Sequence, residues 1–380
     1  MKYMGSKRTM LGNGLGEVLS QEVTGATRFV DLFTGSAAVS WFVAGKSNVP
    51  VVAVDLQKFS AVMAKAVLYR TSAIDTKRIF ELWSARTRRY IKAKYRGFLT
   101  EAQNIESQDW ESAPLRVSEE AKELCETANE LPVTKAYGGY YFSPIQALYL
   151  DALRKTLPLK REEKWLSLAA LIQAASRCAA APGHTAQPIK ATATGAPSLF
   201  EAWSKDVLSQ TQKALEETGA KVALTEGEAH VTDAVRFAGN LERGDLAFLD
   251  PPYSSEHYSR FYHVLETLAK GDCSEVQGQG RYPSQDERPR SDFSLRSRSR
   301  AAFERLFSTL AKREVRAILT YPLEDTSNGM SGPEVKKLAK VYFSVTRTLV
   351  KGRFSTLGGN GDHRLPKVES SELILVLRPK

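Results

Sequence analysis

Seven apolar runs rich in β-branched residues, most of them with helical stretches between, constrain the fold of this 380-residue chain more than any other feature. They are TRFVDLF (27–33), VPVVAVD (49–55), KVALTEG (221–227), LAFLD (246–250), VRAILTYP (315–322), VYFSVTRTLV (341–350) and ELILVLRP (372–379). Strands that are apolar almost throughout, rather than alternating, are buried on both faces, which is the pattern of a largely parallel sheet covered by helices. The expected fold is therefore α/β, with a doubly wound sheet. A helix through AAVSWFVAG follows the first run, and a second from Lys58 to about Tyr69 follows the second.

The alternation stops between about residues 71 and 215, where the chain reads as helical throughout, as in RIFELWSARTRRYIKAKYR and EEKWLSLAALIQAASRCAA. A chain of this length outgrows one ordinary core. We expect one domain from 1–70 and 216–380, with 71–215 inserted as a helical lobe. Residues 271–300 are rich in Gly, Ser, Pro and Arg without apolar periodicity, so a mobile basic loop is expected within the sheet domain.

Bulk composition narrows the function. A hydrophobic fraction of 42% and a charged fraction of 25% are those of a soluble globular protein. No run reaches the about 18 apolar residues needed to span a bilayer, and the N-terminus lacks the apolar core of a secretion signal. Cys125, Cys178 and Cys273 lie far apart without CxxC pairing, which argues against a disulfide framework or a zinc site and fits a reducing cytoplasm. No metal site is expected. The net charge of +10 favours a polyanionic partner, and nucleic acid ahead of membrane.

Three strand ends carry acids. Asp31 lies near the end of the first run, and the Gly35 turn that follows can bring backbone N–H groups close to a ligand at the start of a helix. Asp55 ends the second run twenty residues past Gly35, where an acid accepts ribose hydroxyls in nucleotide-binding sheets. Either feature alone is common in α/β proteins; together they favour a nucleotide-like ligand. Asp250 ends the fourth run and opens DPPY (250–253). Methylating an exocyclic amine is difficult because its lone pair is delocalised into the ring. A carboxylate and a stiffly held carbonyl that accept both N–H bonds would draw that nitrogen towards tetrahedral geometry. Asp250 and the Pro251 carbonyl supply that pair, Pro252 stiffens the turn, and Tyr253 can stack on an extruded base.

DPPY after DLFTGSAAV, with YMGSK (3–7) at the N-terminus, resembles the Dam-type (alpha-class) adenine-N6 DNA methyltransferases over most of the chain. The resemblance implies an S-adenosylmethionine-dependent methyltransferase fold, S-adenosyl-L-methionine as donor, and direct transfer to a flipped adenine in double-stranded DNA. It implies that Tyr3, Gly5 and Lys7 match the N-terminal cofactor motif, Asp31, Phe33 and Gly35 the Gly-turn motif, and Asp55 the ribose-binding acid. Asp250, Pro251, Pro252 and Tyr253 match the catalytic tetrapeptide. Ala37 stands where the family often has a second Gly. The acid beside the cofactor's adenine is Glu228 as the residue that best fits the strand end, with Asp233 the alternative.

Residues 82–100 carry Arg86, Arg88, Arg89, Lys92, Lys94 and Arg96 with no acid, among Trp83, Tyr90 and Tyr95. We expect DNA backbone contacts from Arg86, Arg89, Lys92 and Arg96. His257 and Arg260, just past the catalytic turn, are further substrate contacts. Five arginines in 288–300 form a second basic stretch. The expected activity is site-specific adenine methylation in the cytoplasm, nucleoid-associated through DNA, with a cognate restriction or defence system as a candidate partner. The alternatives are an rRNA methyltransferase acting on an exocyclic amine, and a DNA-binding relative without catalysis.

Overall fold

A computed structural model describes residue 3, residues 6–354 and residues 368–380. The chain forms two compact units. A sheet unit comprises Gly5–Ala64, Val222–His257 and Arg290–Lys380; a helical unit comprises Met1–Met4, Lys65–Lys221 and Tyr258–Pro289.

The described strands are β1 (Phe29–Asp31), β2 (Val51–Asp55), β3 (Glu228–Val231), β4 (Leu246–Leu249), β5 (Val276–Gln277), β6 (Tyr282–Pro283), β7 (Arg316–Pro322), β8 (Phe343–Phe354) and β9 (Val368–Pro379). Seven of them form one sheet in the order β3-β2-β1-β4-β7-β9-β8. The first five are parallel, and β9 runs antiparallel to both β7 and β8. β1, β4 and the first four residues of β2 are buried throughout, as continuous apolar runs in a two-sided sheet must be. On one face Val30, Leu32, Val52, Val54, Leu249 and Leu319 pack with Phe303, Phe307 and Leu338 from the helices Ser299–Lys312 and Gly332–Tyr342. Each of those larger side chains contributes about 1.5–3 kcal/mol by leaving water.

Two strand expectations shift. KVALTEG (221–227) does not pair; Leu224 N–H donates to Ala44 O (2.8 Å) and Thr225 Oγ1 to Asn48 O (2.8 Å), so the segment connects rather than extends the sheet. Pairing starts at Glu228, opposite Val52. Likewise Val341 and Tyr342 close a helix, and β8 begins at Phe343.

The helical unit is built on the helices Thr76–Lys94, Pro144–Lys155, Arg161–Cys178 and Val207–Gly219, joined by shorter ones. Trp83 is fully buried, and its Nε1 donates to Leu153 O (3.1 Å). Buried Asp151 accepts from Val133 N, Thr134 N and Thr134 Oγ1, satisfying the otherwise orphaned N–H groups where the helix Pro132–Tyr137 begins. Residues 258–289 join this unit: Arg154 Nε donates to Leu268 O (2.7 Å) near the end of the helix Tyr258–Lys270, and β5 pairs with β6. Within 271–300 the chain thus carries a short hairpin and two 3-10 turns, Gln285–Glu287 and Asp292–Ser294. No helix among the described residues is long and apolar enough to cross a membrane.

Candidate active site

In an open parallel sheet, ligands bind outside the carboxyl ends of the strands, where the strand order reverses. That switch point lies here between β1 and β4, since β2 and β3 lie on the far side of β1. The register is Asp31 opposite Ala53 and Phe248, so Asp55 and Asp250 each stand two residues beyond it on the neighbouring strands. Leu249 is opposite Leu319, which sets Asp250 beside Thr320. β9 enters from the other direction with Glu372 opposite Pro322, and so delivers a further carboxyl to the same edge.

Lys7 joins these groups. Its ammonium is buried, 2.9 Å from Asp250 Oδ1 and 3.1 Å from Glu372 Oε1. Thr320 Oγ1 also donates to Asp250 Oδ1 (2.9 Å), so that oxygen holds two donors while Oδ2 has none among the described residues. Burial pushes both carboxyls up, and the Lys7 charge is the chief counterweight. In Lys7 itself the two carboxylates overcome the cost of burial and hold the proton firmly.

The DPPY turn is fixed by a residue the sequence did not announce. Asn328 is wholly buried, and its Nδ2 donates to Pro252 O (3.1 Å) and Phe293 O (2.9 Å). Its Oδ1 accepts from Tyr321 OH, Thr326 Oγ1 and Met330 N. With Pro252 O occupied, the Pro251 carbonyl is left without a hydrogen bond among the described residues. Tyr253 packs edge-on to Tyr321, with Lys7 Nζ 6.0 Å from its ring centre.

Gly35 takes φ +51°, and its N–H donates to Asp55 Oδ2 (2.8 Å) while Gln57 N–H takes Oδ1 (2.8 Å). Thr34 Oγ1 lies within hydrogen-bond reach of both Val54 O (3.1 Å) and Asp31 O (3.2 Å), and Ser6 Oγ lies 3.4 Å from Ser36 Oγ. Ala37, where the family often has Gly, adopts φ 61°, ψ 16° at the N-cap of the helix Ala38–Ala44. A Cβ in that left-handed region costs roughly 1–2 kcal/mol. Ala37→Gly is therefore expected to leave the melting temperature unchanged or raise it, while Ala37→Val lowers stability by about 2 kcal/mol or more, as read by denaturant melts.

Asp31 is buried with one oxygen satisfied, Oδ2 accepting from Ser40 Oγ (2.6 Å), and with Oδ1 unbonded. Burial pushes its carboxyl up to about 7, against the Ser40 hydrogen bond, with Asp250 and Asp55 adding repulsion. A buried, unbonded carboxylate oxygen beside a Gly turn fits a cationic amino group, so these residues suit a cofactor that carries one. Phe33 stands next to the turn, edge-on to Phe293 (5.2 Å).

The remaining expected residues fall elsewhere. Glu228 opens β3 instead of ending it, at the edge opposite to Asp31 and Asp55, and is paired with His230 (2.9 Å). Asp233, two residues past the carboxyl end of β3, caps the helix Ala234–Ala238. The apolar content of KVALTEG placed the strand one segment too early, so Glu228 begins β3 where it was expected to end it. Gly5 lies outside the described residues. Tyr3 stacks on Tyr262 within the helical unit (4.7 Å). Arg89, Lys92 and Arg96 are exposed and Arg86 half-buried, on helices whose opposite face buries Trp83, Thr87 and Ile91. Arg260 Nε donates to Tyr282 OH (3.2 Å), and His257 is half-buried before the helix Tyr258–Lys270.

This strand order, with acids along its carboxyl edge, is the methyltransferase fold. The family model for D12 class N6 adenine-specific DNA methyltransferases matches residues 3–162 and 182–318, and the chain belongs to that family. It is similar to modification methylase LlaI of Lactococcus lactis subsp. lactis, at 25% identity over 81% of this chain and 44% of the relative. Type II methyltransferase M.FokI of Planomicrobium okeanokoites is 24% identical over 73% of this chain and 38% of its own length. Modification methylase StsI of Streptococcus sanguinis is 24% identical over 73% and 37%. The chain thus spans less than half the length of these curated relatives.

Proposed function

We propose that the chain methylates the N6 of an adenine flipped out of duplex DNA, with S-adenosyl-L-methionine as donor. The observation that carries this reading is Asp250, whose Oδ1 is held by Lys7 and Thr320 while Oδ2 is left to accept. Oδ2 takes one N6–H of the adenine and the Pro251 carbonyl takes the other, which localises the nitrogen lone pair. Tyr253 stacks on the extruded ring, offsetting part of the few kcal/mol that unstacking costs. When bound, the donor supplies a methyl group activated on a sulfonium. Asp31 Oδ1 receives its amino group, the Gly35 turn allows close approach, and Asp55 and Asp233 serve its ribose and adenine. Asp55 already accepts two backbone N–H groups, and a carboxylate has room for further donors. The N6 proton leaves to water after the methyl has moved. Arg86, Arg89, Lys92 and Arg96 grip DNA phosphates, and a cognate restriction system is a fitting partner because the similar proteins include modification methylases.

The test is incubation of the protein with labelled donor and either duplex plasmid or ribosomal RNA, followed by sequencing for modified adenines. Label in DNA adenine supports the reading; label in rRNA alone, or in neither, overturns it.

Asp31 makes a pH prediction. Its folded value, about 7, lies above the ordinary 3.8, so the folded chain holds this proton more tightly than the unfolded chain. The group therefore favours folding at low pH, and its contribution is lost as pH rises from about 4 to about 7. The ionised form is the one that receives a cation. Donor affinity measured by calorimetry is thus expected to rise between about pH 6 and pH 8 and then level off, and Asp31→Asn to flatten that rise.

A further inference from the structure

The helical unit contains a cavity of about 520 Å³ that none of the residues above explains. The segment Tyr258–Lys270, kinked at Tyr262, lines one wall with Ser259 before the kink and His263, Glu266, Thr267 and Lys270 after it, the last four spaced to share one face. The depth of polar groups is unusual. Ser259, His263 and Glu266 are 4%, 2% and 7% exposed, yet Ser259 Oγ and His263 Nε2 make no hydrogen bond among the described residues. An unsatisfied buried polar group costs about 1–3 kcal/mol, so two of them lining one cavity point to a ligand that completes them.

The donor and acceptor pattern identifies the ligand's chemistry. His263 Nδ1 lies 3.0 Å from Arg260 O, which accepts, so Nδ1 carries the proton and Nε2 is left as an acceptor. Burial lowers the imidazole to about 4, against the carbonyls of Arg260 and Gly280, so it is neutral. Glu266 supplies a second acceptor one turn away, and the Ser259 hydroxyl can donate. Two acceptors beside one donor match an exocyclic amino group flanking a ring nitrogen. Lys270 Nζ, 4.0 Å from Glu266, and Arg288, over the Tyr282 ring at 5.3 Å, are the cations of the lining, which also carries Asp272 and Glu287. An anion is disfavoured at any of the three carboxylates, so only Lys270 and Arg288 can meet a phosphate, and the base lies beside Glu266.

We propose that this cavity binds a nucleotide whose base carries an amino group, adenine or cytosine, separate from the methylated adenine. The proposal rests on the DNA-methyltransferase reading for its biological setting, but its binding chemistry stands apart from it. A nucleotide of the substrate DNA and a free nucleotide present the same groups, and the experiment separates them.

The full-length protein is titrated calorimetrically with dCMP, dAMP and dTMP. Expected is saturable binding of dCMP and dAMP over dTMP, weakened at least about tenfold by Glu266→Gln or Ser259→Ala, with dCMP binding unchanged by Asp250→Ala. Persistence of dCMP binding in Asp250→Ala separates this cavity from the target-base site, and unchanged donor binding certifies that each variant is folded. The modified-adenine map of cells expressing Glu266→Gln then distinguishes the sources. A motif relaxed at one adenine or cytosine position assigns the site to DNA, and an unaltered motif assigns it to free nucleotide. Equal binding of dTMP, or affinities that ignore both cavity variants, overturns the proposal. Failure of DNA methylation by the unaltered protein would overturn the proposed function while leaving the mononucleotide result readable.

Discussion

Asp250→Ala is expected to lower methyl transfer by roughly 10³-fold or more while donor affinity changes little. The change removes the acceptor that acts on the amine only as its nitrogen becomes tetrahedral, so the loss belongs in kcat rather than in binding. Folding is spared for a specific reason. Lys7 keeps Glu372 at 3.1 Å, so deleting Asp250 turns a cation with two carboxylates into a neutral pair. One secondary effect should accompany it. Asp250 is among the charges that raise the Asp31 carboxyl, so the pH at which donor affinity rises should fall in this variant. Single-turnover transfer and calorimetry on the same preparation check both; wild-type transfer by the variant would sink the mechanism.

Lys7→Met has a larger effect on the fold. It strands two buried carboxyls that already resist ionisation, and removing one partner of a buried ion pair costs about 3–5 kcal/mol. At neutral pH one carboxyl should take up a proton, so residual transfer shifts to more alkaline conditions and drops by at least about 10²-fold. Adding Glu372→Gln to Lys7→Met removes one stranded acid and should recover part of the stability, a coupling visible in a double-mutant cycle of denaturant melts. Additive effects would show that the three groups do not act together.

Much of the sheet was legible because β1, β2, β4 and β7 are buried on both faces and leave unbroken apolar runs. Their tips were legible for the same reason: Asp31, Asp55 and Asp250 interrupt runs that otherwise exclude charge. β3 was not, since EAHV is a half-exposed edge strand with little apolar signal, while the nearby KVALTEG has the composition without the pairing. Thr320, Asn328 and Glu372 carry no local signature. Thr320 sits inside an apolar strand, Asn328 in a loop, and Glu372 in a strand whose antiparallel direction alone places it at the carboxyl edge. Such roles arise from register between distant segments, which periodicity along one segment cannot encode. The return of residues 258–289 to the helical unit likewise left no mark on local composition.

Lys7 and Glu372 are 365 residues apart in the chain, and β9, which carries Glu372, must slot between β7 and β8 before they meet. Translation must therefore pass residue 372 before Lys7, the partner of Asp250, acquires its second carboxyl. A chain cut before residue 372 would hold β1 to β4 with Lys7 facing Asp250 alone.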